Sequence, residues 1–311
     1  MDGGLQDLAY FGIPTFCKFP HTRDPRGADV AVVGVPQDQT VLNRPGARYG
    51  PRAIRLASQL YGSEYDADLG FYDIELGRHI LEGTRLIDYG DVAILPTLTD
   101  LNMQAVTRAI SEILDGGALP LTLGGDHSIV FPVVRAFEGE RLDVVHFDTH
   151  LDFTDDYADL GLKFSHGNPI KRISELENVD RITQVGARGL TTPRSVHEEA
   201  LRAGSSIITA SDAIAKGHEW VLEKVPAAEN VYVTVDIYVL DPAVAPGTGT
   251  PEPGGLSYRL LADILAGLPD KGRVVGFDIV EVNPLYDTSE LTSHVAARLA
   301  IDFIGAIFAA R

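Results

Sequence analysis

Short, nearly unbroken apolar runs recur along the chain, and most of them stop at glycine, proline or a polar residue. Asp29 to Val35 closes on Pro36, Leu119 to Leu123 on Gly124-Gly125, and Val144 to Phe147 on Asp148. Ile182 to Gly186, Ser206 to Thr209, Val231 to Val235 and Arg273 to Ile279 repeat the pattern. Apolar runs without strict alternation predict strands buried on both faces, as in a parallel sheet. Helical spacing fills the intervals. Residues 102–116 end at Gly116-Gly117, a helix begins near Pro51, and another runs from about Ile129 to Phe137. No repeat, linker or low-complexity segment breaks the alternation. It predicts a single-domain α/β fold, doubly wound, with a mostly parallel sheet and helices on both faces. The domain is expected to span 29–311, with 1–28 as an N-terminal arm.

Composition narrows the class. With 311 residues, 45% of them hydrophobic, the chain can bury a sizeable core. A formal net charge of -18 repels phosphate backbones and anionic lipid. Neither nucleic acid nor a membrane is therefore an expected partner, whereas a small cationic substrate would be drawn in. Cys17 is the only cysteine, which excludes an internal disulfide and thiolate metal sites. Residues 1–7 show neither a basic start nor an apolar run, and no stretch is expected to form a membrane span. A cytoplasmic enzyme is the expectation.

The candidate chemistry lies where the apolar runs end. Asp148, His150 and Asp152 follow one predicted strand at spacings of two, so three metal-ligand types leave the sheet together. His127 follows another strand in Gly-Gly-Asp-His-Ser, at the carboxyl edge where open α/β sheets place their ligands. The stretch from Val231 to Pro242 reads as a strand that puts Asp236 and position 238 on one face, and the last strand, Val275 to Pro284, brings Glu281 to the same edge. Histidine and aspartate without thiolate suit a hard divalent ion such as manganese better than a structural zinc. His146, on the same face as Asp148 but deeper, reads as a core histidine rather than a ligand. Arg44, Arg48, Arg52 and Arg55 read as packing and ion-pair residues, and Asp126, Asp241 and Asp278 as residues that orient their neighbours.

Taken in order, GGDHS, the Asp-x-His-x-Asp run, Ser165-His-Gly-Asn-Pro169, the strand from Asp236 to Pro242 with its PGTGTPEPGG loop, and DIVEVNP resemble the ureohydrolases. This is the arginase and agmatinase family, and the resemblance covers nearly the whole chain. The segments GIPTF and RPGARYGPRAIR are similar to its agmatinase and guanidinobutyrase branch. The resemblance implies two manganese ions about 3.5 Å apart. His127, Asp148, Asp152 and Asp236 would hold one and His150 the other, with Asp148 and Asp236 bridging. It further implies hydroxide attack on a guanidinium carbon, Glu281 pairing with the substrate, and His166 passing a proton to the departing amine. The products would be urea and a primary amine. A homo-oligomer, trimer or hexamer, is implied as well.

Tyr238 departs from the family pattern, which has aspartate there as the last carboxylate of the second ion. A phenol is neutral at pH 7 and offers one oxygen where a carboxylate can offer two. A weaker second site, a phenolate ligand and a one-metal protein all remain open. So does the alternative function, a catalytically weak or silent homologue. The loop 154–164 is acidic through Asp155, Asp156 and Asp159 and is expected to overhang the pocket, favouring an agmatine-like or uncharged guanidine over arginine. Lys163 argues the other way, since it could receive a carboxylate.

Overall fold

The computed structural model describes residues 8–66, 68–155 and 163–309. Its main sheet contains β1 (Val30–Val35), β4 (Leu86–Asp91), β5 (Leu119–Gly124), β6 (Leu142–Phe147), β7 (Val179–Ala187), β8 (Ser206–Thr209), β9 (Asn230–Asp236) and β10 (Arg273–Val280). A small antiparallel hairpin, β2 (Phe71–Asp73) with β3 (Arg78–Ile80), stands apart. The sheet order is β4-β1-β5-β10-β9-β6-β7-β8, and every neighbouring pair is parallel.

Residue alternation feeds two apolar layers. Val231, Val233 and Val235 enter one, with α1 (Gly50–Gly62), α6 (Ala210–Lys224), α7 (Tyr258–Gly267) and α8 (Leu291–Ala309). Tyr232 points the opposite way, into the layer built with α2 (Thr99–Asp115), α3 (Val130–Arg135), α4 (Pro169–Ser174) and α5 (Arg194–Arg202). Helices thus cover both faces, as the doubly wound pattern requires. Among the described residues, α8 is long and apolar enough to cross a membrane by length and composition alone. It also carries Arg298 and Asp302 as an ion pair, and 67% of its apolar window is buried, as befits a core helix.

The predicted strands are present with their ends shifted by a few residues, but β4 has no counterpart among them. Asp88 and Gly90 interrupt its apolar run. Asp88 is buried because its carboxylate is fully used. It accepts from Arg55 Nε (2.8 Å) and Nη2 (3.0 Å), from the Phe16 N–H (2.7 Å) and from the Gly90 N–H (2.8 Å). Arg55 also reaches Asp91, Arg48 pairs with Asp38, and Arg44 lies over the Tyr286 ring. Ion pairing and packing are therefore what these three arginines do.

β5, β10, β9 and β6 are consecutive neighbours in the middle of the sheet. The turns leaving their carboxyl ends carry His127, Glu281, Asp236 and Asp148, so sheet order alone brings distant sequence motifs together. Removing one partner of the buried Arg55–Asp88 pair strands the other charge, which typically costs about 3–5 kcal/mol. Arg55→Leu should lower the unfolding free energy by that order in denaturant titration; a change under about 1 kcal/mol would show that the pair is not stabilising.

Candidate metal centre

Each turn that presents a candidate ligand is locally constrained. His127 opens a 3-10 turn capped by Asp126, whose Oδ1 accepts the Ser128 N–H at 3.0 Å. A Cβ on the preceding Gly125 would lie 1.8 Å from the Gln37 carbonyl oxygen, so only glycine lets the turn approach β1 so closely. Asp152 and Glu281 have φ of 49° and 65°, in the left-handed region. For a residue with a side chain that conformation costs about 1–2 kcal/mol, and here it aims a carboxylate back toward the sheet.

The result is a dense buried cluster. His127 Nδ1 lies 3.0 Å from Asp152 Oδ2, 3.2 Å from Asp236 Oδ2 and 3.6 Å from Asp148 Oδ2. One ligand atom from each of His127, His146, Asp148 and Asp152 falls within 4.8 Å of the others. His127 Nδ1, Asp148 Oδ2 and Asp152 Oδ2 are buried without a hydrogen-bond partner. Buried polar atoms are normally satisfied, and acceptor atoms left facing one another are what a cation would satisfy. Their nitrogens and oxygens fit a hard divalent ion. The electrostatics agree. Burial and the Asp148 charge push the Asp236 carboxyl well above the carboxylate range. Burial pulls the His127 pKa down, but Asp148, Asp152 and Asp236 more than offset it and raise it well above the imidazole value. The space calls for positive charge.

A chain of hydrogen bonds sets the His127 tautomer. Thr234 Oγ1 donates to Asp278 Oδ1 (2.7 Å), so it can only accept from the His127 Nε2–H (2.9 Å). The Nδ1 lone pair is thereby left facing the carboxylates, the arrangement that suits a metal-binding histidine. Tyr232 donates to the other oxygen of Asp278 (2.6 Å), whose pKa burial pushes up to about 6. His146 is fully buried, as a core histidine should be. The Gln184 amide donates to its Nδ1 (3.1 Å) and to the Leu151 carbonyl (2.7 Å), which leaves the His146 proton on Nε2, 3.4 Å from Asp148 Oδ2. His146 thus faces the cluster as a donor toward Asp148, a contact that strand periodicity did not reveal. His150 stands at the cluster's edge, its Nδ1 3.5 Å from Asp148 Oδ1.

Tyr238 is not on a continuing strand. β9 ends at Asp236, whose Oδ1 accepts the Tyr238 N–H (2.8 Å) and turns residues Ile237–Val239 into a 3-10 turn. Strand alternation from Asp236 therefore does not set where this side chain goes. The buried phenol hydroxyl donates to Glu281 Oε2 (2.7 Å) and accepts from the Gly249 N–H (3.1 Å). Glu281 Oε1 in turn accepts from the His127 N–H (3.0 Å) and from His166 Nδ1 (3.0 Å). His166 Nε2 accepts the Leu42 N–H (3.0 Å). Burial lowers the His166 pKa, Glu281 more than reverses this and brings it to about 9, and the Leu42 N–H opposes a proton on Nε2.

A cavity of about 220 Å³ opens over this floor, reaching His150, Asp152, His166, Asp236 and Tyr238. Leu42, Phe153, Thr191, Thr192, Pro193 and Val196 contribute to its walls. Asp155 turns aside to pair with Lys171 and Arg172, each at 3.0 Å. Asp156 and Asp159 lie outside the described residues. Lys163 sits against the Phe164 ring. Motif reading also passed over Arg188, whose guanidinium donates to the carbonyls of Tyr238 (2.9 Å), Val239 (3.2 Å) and Glu252 (2.7 Å). It thereby clamps the turn at 238 to the 245–255 loop, which Asp241 also holds through the Gly254 and Gly255 N–H groups.

Residues 28–305 match the family model described as the arginase family. The chain belongs to the arginase family. Among its relatives is the proclavaminate amidinohydrolase of Streptomyces clavuligerus, 36% identical over 95% of this chain and 93% of that protein. The solved structure of that enzyme superposes with a TM-score of 0.85 at 34% identity, covering 97% of this chain and 99% of that one. The guanidinopropionase of Pseudomonas aeruginosa is 34% identical over 95% of this chain and 92% of its own length. The mitochondrial agmatinase of Gallus gallus is 34% identical over 94% and 85%. The chain is accordingly a ureohydrolase, in a family that depends on a binuclear metal centre. In this arginase-family member, Thr234→Val removes the acceptor that fixes the His127 tautomer while keeping the side-chain shape. Metal affinity measured by isothermal titration calorimetry should fall about 10- to 100-fold; unchanged affinity would remove Thr234 from the site.

Proposed function

We propose that this protein is a manganese-dependent amidinohydrolase that hydrolyses an agmatine-like guanidino compound to urea and a primary amine. The observation that carries the reading is the set of orphaned ligand atoms of His127, Asp148 and Asp152, a cluster that meets the cavity at Asp152 and Asp236, with His166 on the same cavity's wall. His127, Asp148, Asp152 and Asp236 are the residues that would hold an ion. A bound divalent ion would supply an acidified water, available as hydroxide near neutral pH.

The chain's own residues account for the rest. Water adds to the guanidinium carbon, the bond from that carbon to the alkyl nitrogen breaks, and the departing nitrogen takes a proton. His166 lines the cavity and, as the imidazolium that a pKa of about 9 favours, would give that proton from Nε2 in place of accepting the Leu42 N–H there. Glu281 is the carboxylate for the guanidinium, and it must trade an existing donor for the substrate's N–H groups. Among the described residues, the cavity walls carry no lysine or arginine. An ammonium or uncharged tail therefore fits them better than a carboxylate. The cognate relatives are named for several different guanidino compounds, so the tail is the variable part.

A second reading, a catalytically weak or silent homologue, is favoured by one observation: the Tyr238 hydroxyl already occupies Glu281 Oε2. Urea release across agmatine, arginine, guanidinobutyrate and guanidinopropionate separates the two. Agmatine should be turned over fastest; arginine outpacing all the others would refute the tail assignment, and no urea from any would favour the silent reading.

Dialysis against a chelator should abolish urea release, and manganese should restore it better than magnesium, because imidazole ligands favour the transition ion. Activity that survives metal removal would sink the proposal. Glu281→Gln should cost about 10- to 100-fold in turnover, the worth of one charge-assisted hydrogen bond, with the metal retained. Loss of metal in that variant would mean that Glu281 serves the ion rather than the substrate.

A further inference from the structure

We propose that the metal centre of this chain is mononuclear, because Tyr238 has turned the second ion's position into a hydrogen-bonded cap on Glu281. The inference rests on the amidinohydrolase reading for the location of the first ion, and otherwise on three features of this chain.

The first is the donor set. Carboxylate oxygens of Asp148, Asp152 and Asp236 gather around His127 Nδ1, at 3.6, 3.0 and 3.2 Å, and His150 is not part of that group. A second ion beside His150 would have to draw on Asp148 and Asp236. Asp148 Oδ1 already accepts the His150 N–H (3.0 Å), and Asp236 Oδ1 already accepts the Tyr238 N–H (2.8 Å). The two carboxylates turn their other oxygens toward His127 instead. Such a shell would have only His150 and two carboxylates whose oxygens on that side are already engaged by backbone N–H groups.

The second is the commitment of the Tyr238 oxygen. It gives its only proton to Glu281 and receives the Gly249 N–H, so it is used in both directions. Turning that oxygen to a cation would take the donor from Glu281, a carboxylate only 1% exposed. Its Oε2 would be left without a donor, and an unsatisfied buried oxygen is costly.

The third is that the surroundings are shaped to the ring. It packs edge-on against His150, with centroids 5.6 Å apart and planes at 86°, filling the space between His150 and Glu281. A Cβ on Gly249 would lie 2.8 Å from the Tyr238 hydroxyl, so glycine there makes room for the phenol. Arg188 fixes the Tyr238 carbonyl from below (2.9 Å). With the ring in place, His150 becomes part of the cavity wall, its side chain 20% exposed.

The test is a metal count on the full chain reconstituted with manganese and freed of excess by gel filtration, read by mass spectrometry and by electron paramagnetic resonance. The wild type should hold one ion per chain with the hyperfine pattern of isolated manganese(II). Tyr238→Phe should remain at one. Tyr238→Asp should rise to two and show the spectrum of an exchange-coupled pair. His150→Asn should retain the single ion with affinity within about twofold of wild type. Two ions per wild-type chain with a coupled spectrum would overturn the proposal, as would a folded Tyr238→Asp that stays at one or a His150→Asn that loses its metal. No substrate enters these measurements. Absence of urea release would defeat the function while leaving the count standing, and a count of two would do the reverse.

Discussion

Asp148, Asp152 and Asp236 are carried into one buried space by turns that cannot retreat from it. Asp148 and Asp236 leave adjacent parallel strands, and Asp152 is held by a left-handed backbone. Carboxylates confined so closely, away from water, cannot all keep their charge without a cation among them. The three histidines around Asp148 more than offset its burial and hold its pKa well below the usual value, while Asp236 is pushed the other way. The surrounding fold serves this arrangement. Gly125 lets β5's turn approach β1, and the Thr234–Asp278–Tyr232 chain beneath the cluster aims one lone pair of His127 upward.

The sheet and its central motifs were legible because burial on both faces leaves continuous apolar runs, and because each motif sits where such a run stops. β1, β5, β9 and β10 are readable on that ground. β4 was not, since its buried Asp88 is balanced by Arg55, a partner over thirty residues away that no local pattern reveals. The turn after Asp236 was missed for a related reason. A side-chain cap bends the chain where hydrophobic alternation would continue it.

The site itself was legible as a set of ligand types and illegible as a network. Spacing along a strand placed Asp148, His150 and Asp152 near one another, but it could not say that His150 would stand at the edge while His146 faced Asp148. Nor could it show that Glu281 would already be satisfied by three donors. Arg188 left no trace in motif reading because it works entirely through backbone carbonyls, which carry no sequence signature.

The sheet order has a consequence for how the chain acquires its site. β9 and β10 come late in the sequence yet lie between β5 and β6, which carry His127 and Asp148 on their outgoing turns. During synthesis the first half of the chain therefore emerges with its acidic turns separated by a gap two strands wide. Closing that gap means threading the last strands into the centre, and contacts of such long sequence separation form slowly. Completion of the cluster is thus postponed to the end of folding. The turn after β6 offers Asp148, His150 and Asp152 early, but Asp236 and Glu281 join them and His127 only when the last strands have entered the sheet.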